Sequence, residues 1–316
     1  MTGAPPSMAF HVAIIVCTFN RAESLRHTLE SLSGLVVPAG MHAELVVVDN
    51  NSTDHTREVC ENAHPAVPLR YVFERAQGQA HAWNRGVTET SAPLILFTDD
   101  DVNVDRQWLA AYWETAQRHP EAGFFGGPTQ PIWETPPPRW FEENLRTHLA
   151  HVAVCFDLGA SEVPLRGAVG ANMAIRRAAM EGLHFDTRLG PCNEVQLIGQ
   201  IRQRGFAGVY APGALIQHRT YPERMTEAYV RKWFVGDGRA EVRREQVVRS
   251  HRWFGVARYY WKQLFVNALR YGLARWVAPA SVWLPAEIEM ARAWGVISES
   301  RRNRSHALLK AAQPSS

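Results

Sequence analysis

The 316-residue chain carries 34 Lys+Arg against 31 Asp+Glu, is 46% hydrophobic and has four cysteines. That composition excludes a disordered, collagen-like or disulfide-framed chain, and the length suffices for one large domain or two small ones with a substantial core. No apolar run reaches the roughly 18 residues of a membrane span, and Met1–Ala9 lacks a basic segment followed by an apolar core. A cytoplasmic protein is therefore expected, with residues 1–9 as a disordered tail.

The cysteines, Cys17, Cys60, Cys155 and Cys192, are too scattered for a metal knuckle or redox pair and are expected as reduced thiols. Charge is uneven along the chain. Arg231–Ser316 holds 16 basic and 6 acidic residues and six of the eleven tryptophans, while the remainder is net acidic. A basic, aromatic appendage on an acidic body points to a polyanionic partner surface.

In chain order, His11–Cys17 (HVAIIVC) predicts a buried strand, and Thr18-Phe19-Asn20-Arg21 turns into a helix over Ala22–Ser33 with Leu25, Leu29 and Leu32 at helical spacing. Glu44–Val48 predicts a second strand ending on Asp49, followed by the turn-rich Asn50–Asp54 and a helix to about Ala63. Leu69–Phe73 is a third strand, and the loop Glu74–Gly78 leads to a helix through Trp83, Asn84 and Val87. Leu94–Phe97 has no polar alternation, so both its faces are covered, as in the middle of a parallel sheet. Strands alternating with helices give right-handed crossovers and gather Thr18, Asp49, Arg75 and Asp99–Asp101 at the carboxyl edge, where ligands of open α/β sheets bind.

A helix near Gln107–Arg118 follows. Gly123–Pro128 and Pro131–Trp140 are loop-like and suggest a second region. Gly167–Ile175 enters a strand, and Glu194–Arg204 is a helix stopped by Gly205. Short apolar pieces, Val209–Ala211 and Ala214–Ile216, lead to His218. From Thr226 onward the pattern is helical, with Trp253, Ala257, Tyr260, Trp261, Leu264, Phe265 and Ala268 as an apolar stripe.

Three consecutive carboxylates, Asp99, Asp100 and Asp101, repel one another unless a cation is present. Two or three oxygen ligands plus phosphate oxygens is the usual way to hold magnesium or manganese. An acidic turn capping the next helix is the plainer alternative.

Jointly, Cys17-Thr18-Phe19-Asn20-Arg21, Val48-Asp49-Asn50-Asn51-Ser52-Thr53-Asp54 and Thr98-Asp99-Asp100-Asp101 resemble the inverting glycosyltransferases of family 2. Gly170–Arg177 and His218 resemble later segments of that family. The resemblance implies an α/β, GT-A type fold: a Rossmann-like, mainly parallel sheet with flanking helices, here with a C-terminal helical appendage. It divides the chain into a nucleotide-sugar-binding half (10–118), an acceptor-binding half of the same domain (119–225) and a basic, aromatic helical region (226–316). The implied activity is transfer of a hexosyl or N-acetylhexosaminyl group from a nucleotide diphosphate sugar, a UDP-sugar by preference, to a hydroxyl of a glycan or lipid-linked acceptor.

By that resemblance Asp101 is a direct ligand of Mn2+ or Mg2+, aided by Asp99, with His218 as a third ligand, and Asp100 reaches the ribose. Asp49 accepts a hydrogen bond from the base, and Thr18, Asn20 and Arg21 line the base pocket. Arg75, Gly78 and Asn84 stand near the diphosphate, although Trp83 occupies a place where the family often has Arg. Asn172, Met173 and Trp133 are expected to border the donor sugar or the acceptor.

The attacking hydroxyl must lose its proton, and a carboxylate is the usual base. Where the family commonly carries Glu-Asp this chain has Asn193-Glu194, so Glu194 is the expected base. The departure leaves open a degenerate transferase that only binds nucleotide or glycan. Asp99-x-Asp101 after an apolar strand also begins the nucleophile motif of haloacid-dehalogenase phosphotransferases, but Val102-Asn103 lacks the usual Gly-Thr. For the C-terminal region an anionic membrane surface is the expected partner, with Trp and Tyr at headgroup depth and Arg on phosphate, and no nucleic acid is expected.

Overall fold

The computed structural model describes residues 10–189, 193–244, 247 and 251–311. The tail expected over residues 1–9, and Cys192, lie outside the described residues. In order the elements are β1 (Val12–Thr18), α1 (Ala22–Ser33), β2 (Ala43–Asp49), α2 (Thr56–Glu61), β3 (Leu69–Phe73), α3 (Gln79–Thr88), β4 (Leu94–Thr98), β5 (Val102–Val104), α4 (Trp108–Arg118), β6 (Ala122–Gly126) and β7 (Thr129–Trp133). Then come α5 (Arg139–Glu142), β8 (Pro164–Leu165), β9 (Asn172–Arg176), α6 (Arg177–Met180), α7 (Asn193–Gln203), β10 (Ala207–Tyr210) and β11 (Ile216–Thr220). The C-terminal part holds α8 (Glu227–Arg243), β12 (Arg252–Trp253), β13 (Val256–Ala257), α9 (Arg258–Ala274) and α10 (Ala280–Ala311).

The chain divides into two compact units. The first is drawn from the described residues of Met1–Ile132, Val154–Thr187 and Cys192–Arg219, the second from those of Trp133–Ala153, Arg188–Pro191 and Thr220–Ser316. Trp133–Ala153 therefore groups with the C-terminal helices rather than with the acceptor half expected from the sequence.

An eight-stranded sheet in the order β3-β2-β1-β4-β9-β6-β10-β8 organises the first unit. The four N-terminal strands are parallel, and β9 enters antiparallel between β4 and β6. The absence of polar alternation in β1 and β4 has a direct structural cause. Val12, Ile14, Val16, Leu94 and Leu96 face one apolar layer with Leu25, Leu29 and Leu32 of α1 and Trp108 and Tyr112 of α4. Ile15, Ile95 and Phe97 face the other, with Trp83 of α3 and Leu197, Ile198 and Ile201 of α7. Each such fully buried aliphatic or aromatic side chain contributes about 1.5–3 kcal/mol.

Gly123–Pro128, expected as loop, is a fully buried strand over its first four residues. Its glycines serve packing: a Cβ on Gly123 would lie 2.7 Å from Phe206 Cβ, and one on Gly126 2.9 Å from Leu165 Cδ2. Gly205 stops α7 as expected, in the left-handed region at φ +90°.

In the second unit, α10 packs along both α8 and α9, and the core gathers Phe141, Leu149, Val230, Phe234, Trp283, Leu284 and Ile288. Backbones touch where α8 crosses α10: a Cβ on Gly295 would fall 2.2 Å from Val235 O, and one on Gly238 2.1 Å from Arg292 O. The expected continuous helical stripe is interrupted, because Trp253 and Ala257 belong to the β12–β13 hairpin and the helix begins only at Arg258. No described helix is long and apolar enough to cross a membrane.

Candidate active site

Ladder register assembles the site. Thr18 pairs with Asp49 at the last rung of β1 and β2, Asp49 pairs with Phe73 of β3, and Val16 pairs with Thr98, so the polar residues following each strand reach one edge. The connecting loops are then tied together. Asn20 adopts φ +51°, which Asn tolerates better than most residues. Its Oδ1 accepts from Thr53 N at 2.7 Å, and its own N–H donates to Ser52 Oγ at 2.9 Å. Asn50 Nδ2 donates to Ala76 O (2.7 Å), and Gly78 N donates to Asn50 Oδ1 (2.7 Å), which shapes the loop carrying Arg75. Arg75 itself is exposed, with no side-chain partner among the described residues.

Asp49 is buried, with both carboxylate oxygens engaged: Ser52 N donates to Oδ1 (2.8 Å) and Tyr71 OH to Oδ2 (2.7 Å). Burial and the Asp49 carboxylate push the Tyr71 phenol up, so it stays a donor. Neither Asn50 nor Tyr71 is among the site residues expected from the sequence. Asn50 directly follows the strand-ending acid in a cap-rich turn, a signal that marks loop-shaping side chains. Tyr71 sits two rungs short of that acid on the neighbouring strand.

The acidic cluster follows β4: Asp101 is 1% exposed and Asp100 4%, while Asp99 is half-buried. Arg21 Nη1 donates to Asp100 Oδ1 and Asp101 Oδ2, each at 3.2 Å. His218 of β11 is brought over β5 by the His218–Val102 pairing and places Nε2 3.1 Å from Asp101 Oδ1 and 3.7 Å from Asp99 Oδ2. Burial pushes the Asp100 carboxyl up to about 7, with the neighbouring Asp101 charge adding to it and Arg21 opposing. Burial lowers the His218 pKa, but the charges and hydrogen bonds of Asp101 and Asp99 outweigh it and push it up to about 9.

Ligand atoms of Asp99, Asp101 and His218 all lie within 4.8 Å of one another. His218 Nδ1 is 3.0 Å from Arg219 O, and a carbonyl only accepts, so Nδ1 carries a proton and Nε2 is the atom turned to the carboxylates. Two carboxylates and one imidazole, with the ring fixed by a backbone carbonyl, fit a divalent cation.

Glu194 opens α7 and is 9% exposed. A Cβ on Gly170 would come 3.5 Å from Glu194 Oε2, so this carboxylate packs on the backbone just before β9. Asn172, two residues on, is the ladder partner of Thr98. The Glu194 carboxylate therefore lies at the same sheet edge as the acidic cluster.

Other expected residues turn inward. Asn172 is fully buried: Trp108 Nε1 and Tyr112 OH donate to its Oδ1, and its Nδ2 donates to Pro128 O and Ala214 O. Met173 is fully buried in the core. Both side chains, expected to border the donor sugar or the acceptor, are thus turned into the core. Asn84 forms a paired amide bridge with the backbone of Phe185 (2.8 and 2.9 Å), and Trp83 packs on Phe97 and Phe185. Trp133 belongs to the second unit, edge to face with Phe141.

A glycosyl transferase family 2 model matches residues 13–183, and the chain belongs to that family. The chain is 30% identical over 156 residues to the succinoglycan biosynthesis protein ExoM of Rhizobium meliloti, a stretch covering 45% of this chain and 50% of ExoM. It is 31% identical over 100 residues to glycosyltransferase AglE of Haloferax volcanii, covering 31% of this chain and 33% of AglE. These matches thus span half or less of those relatives. Among solved structures, the mannosyltransferase PcManGT from Pyrobaculum calidifontis in complex with GDP-Man and Mn2+ superposes with TM-score 0.53 at 22% identity, covering 98% of this chain and 77% of that one. S. aureus TarS in complex with UDP-GlcNAc superposes with TM-score 0.54 at 15% identity, covering 93% and 92%. The α/β, GT-A type architecture expected from the resemblance is the one observed.

Proposed function

We propose that this chain is a metal-dependent, inverting glycosyltransferase that moves a sugar from a nucleoside diphosphate donor, a UDP-sugar by preference, to a hydroxyl of a glycan or lipid-linked acceptor. The observation that carries this reading is the Asp99, Asp101 and His218 triad, within 4.8 Å, on the sheet edge that also holds Asp49. Family membership and the nucleotide sugars held by PcManGT and TarS support it.

In this reading Asp49, fixed by Tyr71 and Ser52, accepts a hydrogen bond from the base beside Thr18 and Asn20. Asp100 reaches the ribose, and Arg21 and Arg75 offer guanidinium donors to phosphate. Bound Mn2+ or Mg2+ supplies Lewis-acid neutralisation of the diphosphate. Glu194 takes the proton of the acceptor hydroxyl as its oxygen bonds to the anomeric carbon and the bond to the diphosphate breaks on the opposite face. That single displacement inverts the anomeric centre.

Donor-dependent thermal stabilisation tests the reading: a panel of nucleotide sugars with manganese, with magnesium and with chelator, on wild type and Asp101→Asn. One donor is expected to raise the melting temperature by about 4 °C at a hundredfold excess over Kd, with metal and in wild type only. No donor effect on a folded protein overturns it.

A further inference from the structure

We propose that the exposed face of α9, together with the tip of the β12–β13 hairpin, docks on an anionic phospholipid bilayer. The helix has its polarity reversed. Tyr260 and Asn267 are buried, whereas Phe265, Leu269 and Leu273, four residues apart on one side, are 66%, 66% and 69% exposed. Trp276 and Val277, just past the helix end, are each 86% exposed. An exposed apolar strip of this length marks an interaction surface.

The hairpin adds a second apolar point built at a conformational cost. Trp253 pairs with Val256, leaving Phe254 and Gly255 as a two-residue turn with φ +50° and +83°. Both central residues of such a turn are left-handed, where Asn-Gly is favoured and an aromatic is strained. The fold nonetheless holds Phe254 there, 79% exposed.

Charge selects the occupant. From His251 to Ala286 there is no Asp or Glu, while Arg252, Arg258, Lys262, Arg270 and Arg275 fall in the same stretch. Arg275 is paired with Glu227, and Arg258 lies over the Trp253 ring. Arg252, Lys262 and Arg270 are exposed, with no side-chain partner among the described residues. A second copy of this face would set these cations against one another. Lipid phosphates neutralise them while the acyl boundary takes the apolar side chains, the arrangement of an interfacial helix. This inference is independent of the transfer chemistry.

Sedimentation of the full chain with vesicles tests it, comparing phosphatidylcholine alone with phosphatidylcholine mixed with phosphatidylglycerol. Wild type is expected on the anionic vesicles, less so as salt rises. Leu269→Ser with Leu273→Ser is expected to cut partitioning at least about tenfold. Lys262→Gln with Arg270→Gln should remove much of the preference for phosphatidylglycerol. Both variants should keep the wild-type melting temperature and donor-dependent stabilisation, which checks the other site separately. Equal recovery without anionic lipid, or variants that bind like wild type, overturns the proposal. So does a wild-type dimer by light scattering that the leucine variant converts to monomer, since a second copy then covers the face.

Discussion

His218 Nε2 faces Asp101 Oδ1 at 3.1 Å, with both side chains 1% exposed, while the opposite ring nitrogen is held by the Arg219 carbonyl. A ring oriented in this way presents Nε2 to the two carboxylates. His218→Ala is therefore expected to weaken Mn2+ binding at least about tenfold, a loss that even an outer-shell partner produces. Titration calorimetry measures it, with circular dichroism confirming the fold. Unchanged affinity would make the pair a structural ion pair.

Tyr71 is predicted to act through Asp49 rather than on the donor. Tyr71→Phe removes the 2.7 Å bond to Asp49 Oδ2 and leaves the ring packing. One hydrogen bond to a charged group is worth about 1.5–3 kcal/mol, so a rise of about tenfold or more in donor KM is expected with kcat little changed. Equal losses in both constants would point to a wider disturbance.

Glu194→Gln keeps the side-chain shape beside Gly170 and removes proton acceptance. The expected result is a kcat reduced about 10²–10⁴-fold with donor binding intact. Retained turnover would move the base elsewhere.

The parts of this site legible in the sequence were those that follow from chain direction. Uncharged runs such as Leu94–Phe97 are buried on both sides, and the polar residues after them necessarily collect at one edge. What stayed hidden depends on contacts between distant segments. Asn172 looked like a pocket residue from its neighbours in the chain, but Trp108, Tyr112 and two carbonyls use its amide. Gly123 and Gly126 looked like turn residues because their packing against Phe206 and Leu165 has no local signature. The β12–β13 hairpin has no local signature either, because Trp253 and Ala257 fit a helical stripe equally well.

A pH-dependent contribution to stability is expected from Glu162, which accepts from Arg118 at 2.6 Å and contacts His119 Nε2 at 2.8 Å. Arg118 chiefly holds the Glu162 carboxyl down, to about 2, and Glu162 raises the His119 pKa. A depressed acid stabilises above its ordinary 4.5, and that stability is lost as pH falls toward 2. A raised histidine stabilises below its ordinary 6.5, and that stability is lost as pH rises through the raised value. Melting curves of wild type and Glu162→Gln should therefore differ most between pH 4.5 and 6.5. They should converge toward pH 2 and narrow only partly at alkaline pH, where Arg118 still holds the carboxylate. A gap that does not vary with pH would contradict this.

Two glycines in the second unit should respond with opposite sign. Gly295→Ala drives a methyl against Val235 O, and a loss of about 1–3 kcal/mol or more is expected. Gly272 lies in exposed α9 with nothing within 4 Å of an added Cβ, so Gly272→Ala should stabilise by about 0.4–1 kcal/mol. Denaturant unfolding of the two variants separates these outcomes.

The insertion of β9 between β4 and β6 sets an order of events during synthesis. When Thr98 leaves the ribosome, β4 has β1 on one side and an open row of backbone donors and acceptors on the other, flanked by Leu94, Ile95, Leu96 and Phe97 without a single charge. That edge is closed only once Arg176 has emerged and the chain has doubled back. A nascent chain stalled before this point, or a fragment cut at Arg118, carries an unprotected template for pairing with its own copies. Residues 10–118 alone thus leave the central sheet unclosed beside β4.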